Sequence, residues 1–578
     1  MPVQRIPLIG SLINRNANPS SFSTYDQRFV NCFPEITKNA ITGEGSIELY
    51  KRGGFTGNTI GPASTTGTFG SIVWSGAANK RPTFCFQNTS TGALSVVDIA
   101  STTIGGGSIA GTRTSVAAPS GPAACLSETL ISGTPYLVVM ARKSSDDMHH
   151  AWFTSEFGAW TEITDADFVP NINLGTITGS ISGTTLTVTV SSTGTNLPIG
   201  ARLGGNGVYF DATTITAVGT AVAGVGTYTV SQSQSVSAGT MTAYNNWLVG
   251  NMVHMDGYAF VMDKNANIWN SDLNSLSSWS ATGFVNASSY PDGGVGLARS
   301  KDYLIAFQNG SIDFFRNAGN ATGSPLSKVL GASIRMGAYM LGPVSPVLET
   351  IRAVNDDVFF IGRSLDSGAV GVYKINGTQI VKVSNAAVDK TLNGNPDLYG
   401  FAGVLPFMGM QHLVLSYTFS SSGESYAYCL ETGVWWVISV SGARINAVAG
   451  NASIGYLVSA DKSNNIAYTA QLDWQDFGGA MTMTVQTQVI DHGTTKRKLY
   501  KALQIVGDIR TTSGNTAISW SDDDYATFSS AHNVDMSTIR PRITRLGSSR
   551  RRAWKITDSV NAPFRAQALE IDFDVSPQ

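Results

Sequence analysis

Histidines, cysteines and one dense run of arginines are the residues of this chain whose types could do chemistry. Asp146-Asp147-Met148-His149-His150 has the residue types of a metal site. No third or fourth ligand stands at i+3 or i+4 spacing, however, and no separate His/Cys pair supports it, so a solvated turn between Leu137-Val138-Val139-Met140 and Ala151-Trp152-Phe153 is expected. The other histidines, His254, His412, His492 and His532, are scattered singly. Without a Gly-x-Ser-x-Gly elbow or a Ser/His/Asp set, nucleophilic hydrolysis has no anchor. Cys32, Cys85, Cys125 and Cys429 lie far apart and read as buried thiols of a protein made in a reducing cytosol. No catalytic residue, metal or cofactor is expected.

The densest charge is Arg540, Arg542, Arg545, Arg550, Arg551, Arg552, Lys555 and Arg565. If Arg540 to Leu546 and Arg550 to Ile556 pair across Gly547-Ser548-Ser549, both faces of that hairpin carry cations, and Arg552 shares a face with Trp554. Arginine forks suit carboxylates as well as phosphates. The expectation is therefore pairing with Asp522, Asp523, Asp524, Asp535, Asp572 and Asp574, or a subunit or partner contact, ahead of direct DNA contact. Just upstream, Trp520-Ser521-Asp522-Asp523-Asp524-Tyr525-Ala526-Thr527-Phe528 is similar to the Asp-box of sialidase-type propellers, with Tyr525 in place of Gly and Phe528 in place of Trp. That motif is a structural hairpin turn. A glycoside hydrolase would also need an arginine cluster gripping a carboxylate and a Tyr/Glu nucleophile pair.

The elements that must hold these groups form a repeating pattern. From about Pro82 to Asp473, an apolar run, a Gly/Asn/Asp/Ser turn and a second apolar run recur at intervals of roughly 50 residues. Tyr303-Leu304-Ile305-Ala306-Phe307 and Ile312-Asp313-Phe314-Phe315 flank Asn309-Gly310, a strong hairpin signal. Similar units contain Val358-Phe359-Phe360-Ile361 and Leu413-Val414-Leu415, and weaker ones start at Phe84, Leu137, Tyr258 and Tyr456. The pattern predicts an all-β chain built on a β-propeller of about six to seven blades. Runs apolar on both faces suit sheets stacked between neighbours. Residues 1–62 read as an extended arm that could supply a ring-closing strand, 63–173 and 244–475 as the two parts of the propeller, and 476–578 as a terminal all-β module with the arginine-rich hairpin. Residues 174–243 carry only Arg202 and Asp211 as charges and read as an inserted β-sandwich or barrel. No long helix is expected.

Charged residues make up 13% of the 578, about half the usual fraction, and the formal net charge is −2. So weak a balance argues against a sequence-reading DNA binder. Neither a membrane-spanning run nor a signal-peptide core is evident, which predicts a soluble product.

Three ordered motifs resemble the tail-nozzle, or packaged-DNA-stabilising, proteins of short-tailed phages. The first is Met1-Pro2-Val3-Gln4 with Pro7-Leu8 and Arg28-Phe29-Val30-Asn31-Cys32-Phe33-Pro34-Glu35. The second is Tyr290-Pro291-Asp292-Gly293-Gly294-Val295-Gly296-Leu297, leading into the Tyr303 hairpin, Gly331 and Arg335-Met336-Gly337. The third is the Asp-box-like turn ahead of the arginines. The resemblance covers the chain apart from the insert. It implies a virion protein made in the host cytoplasm that assembles as a ring of six beneath the portal and its adaptor ring. Such a ring seals packaged DNA, passes it without reading sequence, and docks a tail fibre or spike and a plug or needle. The insert is expected on the outside of the ring. A secreted propeller lectin or adhesin, and less so a sialidase-like glycosidase, are the alternatives from other classes.

Overall fold

The computed structural model describes residues 3–8, 28–38, 45–59, 65–74, 81–88, 94–99, 109–116, 124–142, 149–155, 160–168, 173–208, 213–287, 289–290, 292–339, 349–394, 399–417, 424–440, 445–450, 455–459, 466–470 and 473–576. Asp146, Asp147 and Met148 of the candidate metal motif lie outside them.

Among the described residues seven antiparallel meanders follow one another as blades. Their innermost strands are Thr65–Trp74, Ala124–Ile131, Leu248–Met255, Gly294–Ser300, Ile351–Val354, Tyr399–Phe407 and Ile445–Gly450. Each touches the inner strand of the next blade, and the seventh touches the first, so the ring is closed. Closure is sewn by the N-terminal part of the chain. Phe55–Thr59 is the outer strand of blade seven, antiparallel to Ile466–Ala470, and the chain then runs on into blade one. The expected all-β propeller is therefore observed, with seven blades.

Blade four shows why the repeat builds stacked sheets. In Tyr303–Gln308 five consecutive residues are buried. Leu304 and Ala306 pack with Phe260 and Met262 of blade three, while Ile305 and Phe307 pack with Val358 and Phe360 of blade five. Successive side chains of a strand point to opposite faces, so a continuous apolar run feeds two interfaces at once. The turns after the inner strands are equally local in origin. Ser132-Gly133, Asp256-Gly257 and Met408-Gly409 each place two successive residues at positive φ, the primed hairpin turn that matches strand twist.

Asn309-Gly310 departs from that pattern. The hairpin forms, with Phe307 opposite Ile312, but neither turn residue has positive φ. Asp292 sets the turn instead, accepting from the Gly310 amide at 2.7 Å and from Ser311 Oγ at 3.1 Å. Gly337 closes over it: a Cβ there would lie 1.9 Å from the Asn309 carbonyl oxygen. Thus Asp292, Gly310 and Gly337 of the second motif form one backbone lock. Gly337→Ala is expected to cost about 2 kcal/mol or more by overpacking against main chain, checked by chemical denaturation; a loss under about 0.5 kcal/mol would refute the lock.

The insert hangs between blades two and three. Its 19-residue strand Asn173–Ser191 folds back at Gly183 (φ 62), with Thr189 Oγ1 donating to the Thr178 carbonyl. It pairs along its length with Gly226–Tyr244. The curled sheet encloses its own core of Ile177, Leu186, Val188, Leu203, Tyr228 and Met241. The longest helix among the described residues is Ala386–Gly394, begun by Asn385, whose Oδ1 accepts the Val388 amide. No helix is long and apolar enough to cross a membrane among the described residues.

Both ends of the chain build the terminal module. One sheet runs Cys32–Lys38, Gly45–Lys51, Arg565–Val575, Lys498–Gly507, Arg542–Thr544, with Val3–Pro7 also on Arg565–Val575. The other continues blade six outward: Trp435–Ser439, Arg28–Val30, Met483–Gln486, Ala553–Asp558, Asn515–Ser521, His532–Asp535. The expected pairing of Arg540–Leu546 with Arg550–Ile556 does not occur. Arg542–Thr544 pairs with Lys498–Gly507 in one sheet, and Ala553–Asp558 lies in the other. Alternation explains this: Leu546, Trp554 and Ile556 all belong in the core between the sheets, and a tight hairpin would leave one sheet without its edge.

Where module meets propeller, His412 is fully buried among Phe33, Phe407 and Trp436, with ring centroids 4.9, 5.8 and 5.4 Å away. Burial pushes its imidazole down to about 3, against a weak opposing pull from the Leu405 and Met410 backbone. The unfolded chain takes up this proton near pH 6.5 and the folded one does not, so stability falls as pH drops below 6.5. The expected loss at this site is about 3 kcal/mol by pH 4. Denaturation of the wild type and of His412→Leu across that range tests it, and parallel pH slopes would refute it.

Candidate functional site

The arginine run is positioned by the Asp-box-like turn between Asn515–Ser521 and His532–Asp535. Asp523 organises the turn: Ser521 Oγ donates to it at 2.8 Å, the Thr527 amide at 2.9 Å and Thr527 Oγ1 at 2.6 Å. Those bonds, Thr527 foremost, hold its carboxyl down to about 2. Asp524 and Tyr525 take positive φ, Tyr525 at the position where the motif normally carries glycine. Tyr525 tolerates this because its ring is buried and its hydroxyl donates to the Thr487 carbonyl at 3.0 Å.

The carboxylates flanking Asp523 take the arginines. Arg552 is buried and forks onto Asp522, Nε to Oδ1 at 2.7 Å and the terminal nitrogen to Oδ2 at 2.8 Å. Its guanidinium sits over Tyr500, Trp520 and Trp554, 4.3, 4.9 and 5.2 Å from their centroids, so cation–π attraction adds to the fork. Arg551 pairs with Asp524, Arg542 with Asp572, and Arg565 with Glu48 and Asp508. Lys555 lies over Phe528. Arg540, Arg545 and Arg550 are exposed on the module's edge. The cluster therefore divides into four arginines paired with acids, Lys555 on an aromatic ring and three arginines facing outward. Sequence proximity offers no means of sorting them.

A concavity of about 670 Å³ lies on the propeller axis and is lined by inner strands of blades one to five. Some of its charges are spent on the scaffold. Arg352 donates to Glu349 at 2.9 Å and to the Ser71 carbonyl at 3.0 Å, and Arg299 to the Lys301 carbonyl at 2.9 Å. His254 reaches the Glu128 carbonyl at 3.3 Å, and burial followed by Arg299 lowers its pKa. Three further histidines also have partners. His150 meets Glu162 at 2.9 Å across strands, His492 meets Gln4 at 2.6 Å, and His532 stacks on Trp520. Among the described residues no three His, Cys, Asp or Glu side chains come together as a metal site. The cysteines are free thiols, and burial pushes Cys85 and Cys125 up to about 12, which suppresses the nucleophilic thiolate.

The insert's root was not legible in sequence. Trp247 is sandwiched between Arg202 of the insert, 3.6 Å from the ring centroid, and Lys264 of blade three, 4.1 Å away. Lys264 also donates to the Gly200 carbonyl at 3.2 Å. Burial, and then Arg202, hold its ammonium below its ordinary pKa. Arg202, one of the two charges of the insert, thus fixes its orientation. Trp247→Ala is expected to weaken this joint by about 3 kcal/mol. Faster hydrogen exchange confined to Asn173–Ser191 and Leu248–Met255 would show it; unchanged exchange would refute it.

A closed ring of seven stacked blades defines a β-propeller scaffold. Residues 177–414 match the family model described as Phage_stabilise, Bacteriophage P22 Gp10, beta-propeller. That match supports a phage tail-type protein. It takes in the insert from residue 177, which the sequence alone sets outside the resemblance. No curated protein matches the chain. Among solved structures, an exo-β-1,3-galactanase from Phanerochaete chrysosporium with galactose is similar at 10% identity, covering 79% of this chain and 97% of that one, with a TM-score of 0.23. A mutant Aleuria aurantia lectin in complex with Fucα1-6GlcNAc is similar at 9% identity, covering 66% and 96%, with a TM-score of 0.28.

Proposed function

We propose that this chain is a structural virion protein forming the ring-shaped nozzle of a short phage tail. Copies assemble as a ring of six below the portal and adaptor, retain packaged DNA, and let it leave during ejection. A fibre or spike and a plug or needle dock on the ring. The observation that carries this reading is the match of residues 177–414 to the phage propeller family. The closed ring and doubly buried blade strands support it, since a conduit must resist deformation. A formal net charge of −2 also suits a tube through which DNA slides, because each phosphate held tightly would oppose passage.

The test is to add the purified protein to DNA-filled heads that carry portal and adaptor but lack the rest of the tail. Cryo-electron microscopy and a DNA-leakage assay are then read together. A ring capping the vertex with leakage suppressed is the expected result. Free protein beside leaking heads would overturn it. We place the insert on the outside of that ring as a support for fibre docking; unchanged fibre attachment after deletion of 174–243 would remove that role.

A further inference from the structure

Both sheets of the terminal module start beside blade six, at Arg28–Val30 and Cys32–Lys38, and end far from it. The far edge of one sheet is Arg542–Thr544, continued by Ser548–Ser549, each paired to Lys498–Gly507. Along this edge Arg540, Arg545 and Arg550 are exposed, and the acids of the module are engaged by Arg542, Arg551, Arg552 and Arg565 instead. Cations on an open edge strand prevent stray sheet pairing. That role does not account for Ile539 beside them, which is 80% exposed.

The opposite side of the propeller has the reverse chemistry. In a ring of seven, blade three stands three blades from both six and seven, the two that carry the module. On the outer flank of blades two and three, Asp165 accepts the Trp279 amide at 3.1 Å and Asp272 accepts Ser278 Oγ at 2.5 Å. These bonds bring both carboxylates to the strand Trp279–Asn286, and Asp167 is exposed next to Asp165. No lysine or arginine occurs in 160–168 or between Lys264 and Arg299. Leu273 and Phe284 stand 57% and 43% exposed on this flank.

We propose that these are the two halves of one contact between copies of this chain, the arginine edge of one copy seated on the acidic flank of blades two and three of the next. The patches differ and lie on opposite sides of the protomer, so the contact is heterologous and runs head to tail, closing into a ring where the rotation permits. Exposed ion pairs contribute little singly. The charges steer and register the encounter, and burial of Ile539, Leu273 and Phe284 supplies the holding force. The inference rests on the self-assembly part of the reading above.

Light scattering of the full-length chain tests it. The wild type is expected to assemble, and to associate more slowly at about 0.5 M salt, where the Debye length is only a few Å and charge steering is screened. Arg545→Glu with Arg550→Glu should give monomers with unchanged melting temperature, as should Asp167→Arg with Asp272→Arg. Mixing the two reversed proteins should restore assembly, because each reversed edge then meets a reversed flank. A monomeric wild type at low salt, or reversals that leave assembly intact, would overturn the contact. If the edge reversal spares assembly but weakens DNA retention by capped heads, the edge faces DNA instead. Reversed variants that still cap the vertex would sink this interface while leaving the nozzle reading standing.

Discussion

Asp558→Ala will destabilise the terminal module by about 3–5 kcal/mol, the usual cost of stripping one partner from a buried ion pair. Asp558 is fully buried and receives Lys51 Nζ at 2.9 Å, an Arg510 terminal nitrogen at 2.7 Å and Thr516 Oγ1 at 2.7 Å. Lys51 is itself fully buried, and its ammonium is already held below its ordinary pKa, mainly by burial, with Asp558 opposing. Removing the carboxylate takes away that opposing attraction and leaves Lys51 and Arg510 facing each other. Lys51 must then shed its proton or draw in water, and either route loosens both sheets, since Lys51 ends Gly45–Lys51 and Asp558 ends Ala553–Asp558. Chemical denaturation followed by tryptophan emission measures the loss. A change under about 1 kcal/mol would show that the cluster is not carrying the module. Replacing all three ionic partners with apolar residues of similar volume should be far milder than the single change, because no buried charge is then left alone.

Arg52→Ala is the second large effect, and its consequence reaches the propeller. Arg52 forks onto Asp476 at 2.9 and 2.5 Å and also donates to the Asn31 side chain and the Gly53 and Ser439 carbonyls, each at 2.8 Å. Asn31, at φ 56, turns back to accept the Ser439 amide at 2.9 Å and to donate to the Thr482 carbonyl at 2.8 Å. The N-terminal arm, the end of blade six and the entry to the terminal module therefore meet at one buried guanidinium. Its removal leaves Asp476 buried without its cation, again about 3–5 kcal/mol. The strand Phe55–Thr59 begins three residues later and closes the ring, so hydrogen exchange should accelerate at Phe55–Thr59 and Ile466–Ala470. Arg52→Lys should rescue little, since a point charge cannot replace the fork. Exchange unchanged at those two strands would separate the hub from ring closure.

The two hubs show which features of this protein are written locally. The blade strands were legible because each is a short apolar run bounded by turn residues. That acids stand near the arginines in the same module was also legible. The partners were not. Arg52 and Asp476 are 424 residues apart in sequence, and nothing near either indicates the other. The arginine strands look like a hairpin because they are adjacent, yet the core takes Leu546 and Trp554 from two different sheets. Likewise Asn309-Gly310 offers left-handed turn residues, but Asp292 and Gly337 hold the turn in another conformation. By itself the sequence determined strand content, blade repeat and the all-β class, because period and turn chemistry act over a few residues. Only the tertiary structure decided which residues of the N-terminal arm close the seventh blade, the joining of both chain ends in one module and which arginines remain outward, because long-range pairing is selected by shared burial and charge compensation, which leave no local mark.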